Sequence, residues 1–555
     1  MGDALARVRP SGSPVEMAGS LRDAVAWLES RVGTLRGGAT VFALALAVFG
    51  VRSIALPVIP GRDFGTYIGY YAQMWDWHSV VPMSQLYRTP LAPLVIGGTL
   101  DLLGGWGLEV VMALLFAASV VAWTRTAFTF GPRAALLTAV ALLVYPGYGI
   151  LFHTPASEPV AAAAFAAWGL AVARAWVEPS FGRFAVVGAA TAATALARPA
   201  FQVLVLFSAL PLVLRTPWGA RLASAAACAG VALAVLGSWT IANGLRYDDY
   251  TVARGTGAFF PFYRAFTTDH IVRPGNGPAS RELANAVRRH VLPEEPYRSY
   301  GITLDEFFER GGPREFEDVV GITDRLWGWD SDYAHMRAVG IEAVRAHPLR
   351  YVSGVGKTTF EELWKPLFVA LPNDAAEAPS APAQPNETSQ PATAPALPVP
   401  TDGEVIPAAH QGFFSTTPDG HIRERWTSPV DHTLVFSTQE MQQRYDQTGR
   451  DAGALMDDVP PYGGNEWLTL QFSRSSKLFP PPILWLIAGL VGVVVRRPKQ
   501  LGLAVALAGA AALVVGSQAL AIYTIIEFAI PVVPALMVFG AAGLVGTRSV
   551  DRRRA

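Results

Sequence analysis

The feature that most constrains this chain is a series of apolar runs at residues 41–59, 106–123, 134–151, 159–176, 184–196, 200–214, 222–242, 482–495, 501–522 and 528–545. About 20 apolar residues wound as a helix cross the ~30 Å hydrocarbon layer, and a helix satisfies its backbone hydrogen bonds without help from water. The expectation is a polytopic α-helical membrane protein with about ten transmembrane helices. Composition agrees: 51% of the 555 residues are hydrophobic, 16% are charged and the mean hydropathy is +0.30. That is too apolar for an ordinary soluble chain of this length. The 44 basic residues balance 44 acidic ones, so no nucleic-acid partner is expected. A single cysteine, Cys228, excludes an intramolecular disulfide and the paired-cysteine zinc and redox motifs.

Arginine and lysine set the orientation. Residues 1–38 are polar and carry Arg7, Arg9, Arg22, Arg31 and Arg36, and the run that follows lacks a small-residue cleavage site, so it reads as an uncleaved first span with a cytoplasmic N-terminus. Arg125 and Arg133, Arg174 and Arg183, Arg215 and Arg221, then Arg496, Arg497 and Lys499, fall in alternate connections on that same side, as do Arg548, Arg552, Arg553 and Arg554 of the tail. Both termini are therefore expected in the cytoplasm of a cell with this protein in its plasma membrane. The apolar stretch 89–103 would break the alternation if it crossed, so it is expected to be a juxtamembrane helix at the outer interface.

This gives a cytoplasmic segment 1–38, a seven-span module 39–243 with its first external loop at 60–105, an external domain 244–477, a three-span module 478–547 and a cytoplasmic tail 548–555. Residues 374–403 are dominated by Ala, Pro, Ser and Thr; they cannot bury enough apolar surface to offset ordering entropy, so disorder is expected there. The sequon at Asn386 is weak evidence of glycosylation.

Most charges obey the orientation rule, which singles out those that do not. Asp63 stands where the first span ends, in a segment rich in Tyr and Trp over 67–78, and Arg88 precedes the juxtamembrane helix. His153 and Glu158 border the start of the fourth span, Arg198 separates the fifth from the sixth, Glu527 precedes the last, and Arg52 lies inside the first. An ionisable group near the bilayer centre costs about 2.5–3.5 kcal/mol on insertion scales, less toward the interface. Opposite charges sharing one polar cavity at the outer face would offset that cost. Structural alternatives exist for three of these features: an aromatic belt for 67–78, snorkelling to headgroups for Arg88, and an acid stabilised by a helix dipole for Glu158.

Order and spacing of these residues resemble the polyprenyl-phosphate-dependent GT-C glycosyltransferases, particularly glycosyltransferase family 39 with its protein-mannosyltransferase and aminoarabinose-transferase relatives. In that family an acid follows the first span, as Asp63 does in RDFGTY, and a basic residue precedes a proline-containing juxtamembrane helix, as Arg88 does in YRTPLAPL. An acid opens the fourth span, matched by Glu158 in SEP, and a basic residue follows the fifth, matched by Arg198 in ARP. Two departures stand out: Asp63 is not part of an acidic pair, and Glu527 occupies a turn where an arginine often follows.

The resemblance implies transfer of a sugar from a polyprenyl-phosphate donor to an envelope glycan, lipid or protein acceptor on the external face, with membrane lipids around it. Asp63 would act as general base in an inverting displacement, while Arg88 and Arg198 would stabilise the leaving lipid phosphate. Tyr67 would bond to or stack on the sugar, and Glu158 and His153 would orient the acceptor or Asp63. No cofactor is expected; nor is a metal, since no other acid adjoins Asp63, although Glu158 could still join it around one. A secondary transporter would place its polar groups near the midplane of repeated halves, and no repeat stands out. An envelope assembly scaffold remains the non-enzymatic alternative.

Overall fold

The computed structural model describes residues 26, 28–61, 63–75, 88–247, 250–253, 260–293, 297–298, 300–311, 313–327, 334–365, 413–415, 422–426, 432–459, 465–498, 500–522 and 526–547. The expected disorder at 374–403, the tail 548–555 and residues 76–78 of the aromatic segment 67–78 lie outside them. So do residues 1–25 of the N-terminal segment.

The chain folds as a polytopic helical membrane protein with a large domain between its seventh and eighth spans. Among the described residues, seven helices are long and apolar enough to cross a membrane: Leu35–Ala55, Leu91–Phe128, Ser157–Val177, Trp218–Tyr247, Leu470–Val495, Leu501–Ala521 and Glu527–Val545. Three shorter apolar helices, Pro132–Val144, Phe181–Ala197 and Pro199–Val213, fall at the remaining expected positions. The segment Leu91–Phe128 is two helices meeting at Gly104, whose φ of 65° lies in the left-handed region that a side chain would disfavour. The first of the two is the juxtamembrane helix expected over 89–103. It packs on the short helix Phe64–Met74 so closely that a Cβ at Gly97 would lie 2.3 Å from the Tyr71 ring.

Two spans differ from simple α-helical crossings. The third breaks before Pro146, where Tyr145 is extended at φ −67°, ψ 109° and a second short helix, Pro146–Leu151, begins. A proline lacks the N–H that would continue the ladder and disfavours helical backbone in the residue before it. Arg52, buried inside the first span, fills this break: its Nη2 donates to the Leu143 carbonyl at 2.8 Å. Gly149 leaves the room, since a Cβ there would fall 1.6 Å from Arg52 Nη1. The sixth span, Pro199–Val213, is a 3-10 helix of 15 residues. Its rise of about 2.0 Å per residue lets so short a segment extend about 30 Å, where an α-helix would fall short.

The domain between the spans has its own core, in which Phe262, Phe266, Leu283, Val287, Phe307, Phe308, Met336 and Val339 are buried together. A three-stranded antiparallel sheet, Phe413–Ser415, Ile422–Trp426 and His432–Phe436, follows, with Phe413 opposite Arg425 and Ile422 opposite Phe436. The helix Gln439–Asp457 opens on a Thr438 cap that accepts from Met441 N at 3.1 Å. That helix packs against Phe64–Met74, which ties the later part of the domain to the first loop.

Candidate active site

A cavity of about 460 Å³ lies where the bundle meets the domain. The ends of several elements converge on it. The first loop contributes Asp63, Tyr67 and Arg88; the starts of the fourth and sixth spans contribute Ser157, Glu158 and Gln202; Arg198 closes the fifth. Phe260 and Tyr263 come from the domain, Ser517, Gln518 and Ile522 from the last turns of the ninth span, and Phe528 from the start of the tenth.

Asp63 sits at the N-cap of the helix Phe64–Met74 with φ 59°, and its side chain makes no capping hydrogen bond. An aspartate there ordinarily accepts from an amide of the first helical turn. Instead Arg88 Nη2 donates to Asp63 Oδ2 at 2.6 Å. A non-glycine residue in the left-handed region stores strain that the surroundings must over-determine, a pattern found at functional sites. The guanidinium of Arg88 also lies 5.4 Å from the centre of the Tyr67 ring. Burial, reinforced by the Glu158 carboxylate, raises the Tyr67 hydroxyl above its usual range, so it stays a donor.

The second pair is drier. Arg198 Nη1 donates to Glu158 Oε1 at 2.6 Å, and each side chain is 9% exposed, against 42% for Asp63 and 32% for Arg88. Glu158 stands in the first turn of its helix, where the backbone amides favour negative charge, and Ser157 Oγ donates to its Oε2 at 3.2 Å. Arg198 is at once the C-cap of the fifth span and the N-cap of the sixth. Its guanidinium carbon lies 3.7 Å from the centre of the Phe528 ring, which fixes its second face. Among the described residues no group of three or more His, Cys, Asp or Glu is placed to hold a metal ion. The cations that these carboxylates do face are the two guanidiniums.

Of the six residues to which the family resemblance assigns roles, five line one cavity: Asp63, Tyr67, Arg88, Glu158 and Arg198. His153 does not. It is fully buried and stacked on Phe49 with ring centres 4.0 Å apart and an interplanar angle of 11°. Arg52 is also elsewhere, in the break of the third span. The cavity adds residues that sequence reasoning passed over, among them Phe260, Tyr263, Ser517 and Gln518. Of these only Gln518 carries a signal in the sequence, as the sole amide in the span Leu501–Ala521.

No protein-family model matches the chain, and no curated protein does. Among solved structures it is similar to ArnT from Cupriavidus metallidurans, crystallised bound to undecaprenyl phosphate: 14% identity, TM-score 0.32, covering 92% of this chain and 78% of that one. A likeness at that level leaves the chemistry to the residues themselves.

Proposed function

We propose that the protein is a glycosyltransferase of the GT-C kind, which moves a sugar from a polyprenyl-phosphate donor to an acceptor on the external face of the plasma membrane. The observation that carries this reading is the pairing of two arginines with two carboxylates around one cavity at the bundle's junction with the domain. Such a cavity can admit a lipid phosphate from the bilayer and a polar acceptor from the domain side.

The acceptor hydroxyl attacks the anomeric carbon while the bond from that carbon to the phosphate oxygen breaks. The electron pair leaves with the lipid phosphate, whose charge Arg88 and Arg198 stabilise. The proton of the attacking hydroxyl goes to the Asp63 carboxylate. One displacement inverts the anomeric centre. In the free protein Arg88 occupies Asp63 Oδ2; a bound phosphate competes for that guanidinium and releases the carboxylate for its role as base. Glu158 holds Arg198 in place, and Tyr67 presents a hydroxyl and an aromatic face beside the reacting sugar. The reading is metal-independent, with both termini cytoplasmic.

The test is transfer of radiolabelled sugar from polyprenyl-phosphate sugars in proteoliposomes. Transfer by the natural protein and its loss in Asp63→Asn at equal folded amounts is the expected result. Equal transfer by both would refute Asp63 as base, and no transfer from any donor would overturn the reading and favour a transporter or an assembly scaffold.

A further inference from the structure

The ninth span, Leu501–Ala521, reads LGLAVALAGAAALVVGSQALA, and its polar side chains are Ser517 and Gln518. Ser517 is accounted for, its hydroxyl donating to the Val514 carbonyl at 2.8 Å and lying 3.3 Å from the Ala200 carbonyl. Gln518 is not. It is 4% exposed, it lines the cavity, and neither its Oε1 nor its Nε2 has a hydrogen-bond partner. A buried amide without partners loses its hydration and gains nothing in return, so native proteins rarely leave one.

The ligand's chemistry follows from what else lines the cavity. The two guanidiniums already answer a phosphate, to which the amide nitrogen could donate but from which its oxygen could accept nothing. A side chain with both a free acceptor and a free donor calls for a neutral partner with a donor and an acceptor side by side. Neighbouring hydroxyls on a sugar ring have that arrangement, Oε1 accepting from one while Nε2 donates to the next. We infer that Gln518 recognises a vicinal hydroxyl pair on the sugar of the lipid-linked donor and thereby sets which sugar the cavity accepts. This rests on the glycosyltransferase reading and extends it to a residue outside the charged set.

Gln202 and Tyr263 line the same cavity, but only Gln518 combines near-complete burial with two unpartnered atoms. Its place on the helix gives it a fixed position. Its carbonyl accepts from Ile522 N at 3.0 Å, so it belongs to the last closed turn. That turn is held from the domain, because Arg264 Nη1 donates to the Ala519 carbonyl at 2.6 Å and Tyr351 to that of Leu520 at 2.6 Å.

The experiment uses the full-length protein in nanodiscs and compares it with Gln518→Leu, which keeps the volume and removes both polar atoms. Binding is measured for undecaprenyl phosphate alone and for undecaprenyl-phosphate-linked hexoses and pentoses, alongside the melting temperature without ligand. The expected result is that Gln518→Leu binds the bare lipid phosphate as the natural protein does, while its affinity for the preferred lipid-linked sugar falls about tenfold or more, on the scale of two lost neutral hydrogen bonds. Its melting temperature should be unchanged or higher, since no native partner is lost. A structural role for the amide predicts a lower melting temperature instead, and that result, or sugar-lipid affinity unchanged in the variant, would overturn the inference. If the natural protein bound neither the bare lipid phosphate nor any sugar-linked one, the glycosyltransferase reading itself would fail, an outcome distinct from an unchanged ratio.

Discussion

The Arg88–Asp63 and Arg198–Glu158 pairs have nearly the same length but different surroundings, and so different consequences when broken. The half-exposed Arg88–Asp63 pair adds little to stability, since ion pairs in contact with water are worth about 0–1 kcal/mol. Arg88→Ala is therefore expected to leave the melting temperature close to that of the natural protein while lowering transfer about 100-fold or more, the scale of losing one preorganised charge at a developing anion. A large loss of stability with transfer retained would contradict this. The buried pair behaves oppositely. Glu158→Gln leaves the Arg198 guanidinium, 9% exposed, without its counter-charge, and breaking such a pair from one side costs about 3–5 kcal/mol. Replacing both partners, with Glu158→Gln and Arg198→Met together, should recover much of that stability but no transfer, as thermal unfolding and the transfer assay would register. These four residues were legible in the sequence because charge at a membrane-span end is expensive and therefore conspicuous. His153 was equally conspicuous as a residue type, yet its ring is spent on Phe49. Gln518 was inconspicuous because an uncharged amide is tolerated in a helix, and only the cavity beside it gives it meaning.

At the scale of elements, the apolar runs coincide with apolar helices among the described residues, because an apolar run in lipid satisfies its own backbone by winding as a helix. Hydrophobic length did not foresee how two of those helices are wound. Pro146 was visible in the third run, but whether the break would be filled depended on Arg52, which is remote in sequence. The 3-10 winding of Pro199–Val213 has no periodic signature, since the segment is apolar but for Gln202 and Ser208, too few polar residues to mark a period. Within the domain, helix ends hold together parts far apart in the chain. The helix Pro278–His290 starts from Gly277 without a cap of its own. Glu342, from another helix, supplies it: Oε1 accepts from Ala279 N at 3.0 Å, and Oε2 from Ser280 N at 2.8 Å and Ser280 Oγ at 2.7 Å. Burial alone would raise the Glu342 carboxyl, but these hydrogen bonds outweigh it and hold the group below its usual range. A depressed folded value means that the stabilisation is present above the unfolded carboxylate value of about 4.3 and is lost as pH falls through the lower folded one. Glu342→Gln should thus cost about 1 kcal/mol at neutral pH, the scale of a lost cap. The gap between variant and natural protein should close as the medium is acidified below about pH 4, in thermal unfolding of the full-length chain across a pH series. A gap independent of pH would show that charge at this helix start is immaterial.

For the whole molecule, the question is how the domain is kept in register with the bundle, since the cavity is walled by both. Arg264 is fully buried and bidentate to Asp269, with Nε to Oδ2 and Nη2 to Oδ1 both at 3.0 Å. Its remaining nitrogen, Nη1, donates to Thr358 Oγ1 at 3.1 Å within the domain and reaches the end of the ninth span, meeting the Ala519 carbonyl at 2.6 Å and that of Ile522 at 3.2 Å. Carbonyls at a helix C-terminus lack intrahelical partners and carry partial negative charge, so a guanidinium suits them. The closest approach is at Gly354, where a Cβ would lie 2.1 Å from Asp269 Oδ1. Gly354→Ala must then push Asp269 and Arg264 off the helix end without removing a charge. The ninth span bears Gln518 and Ile522 of the cavity wall, so loosening this contact should move that wall relative to Tyr263 and Phe260 on the domain. The expected outcome is a chain that still inserts and folds, with faster amide exchange at residues 519–522 and over 260–272, and with transfer lowered more through the Michaelis constant than through turnover. That split is expected because Asp63 and Arg88, the proposed base and phosphate ligand, belong to the first loop, which rests on the juxtamembrane helix and on Gln439–Asp457 rather than on this contact. Amide exchange unchanged at both segments would mean that the domain is held by its other contacts, and that Arg264 serves only its own fold.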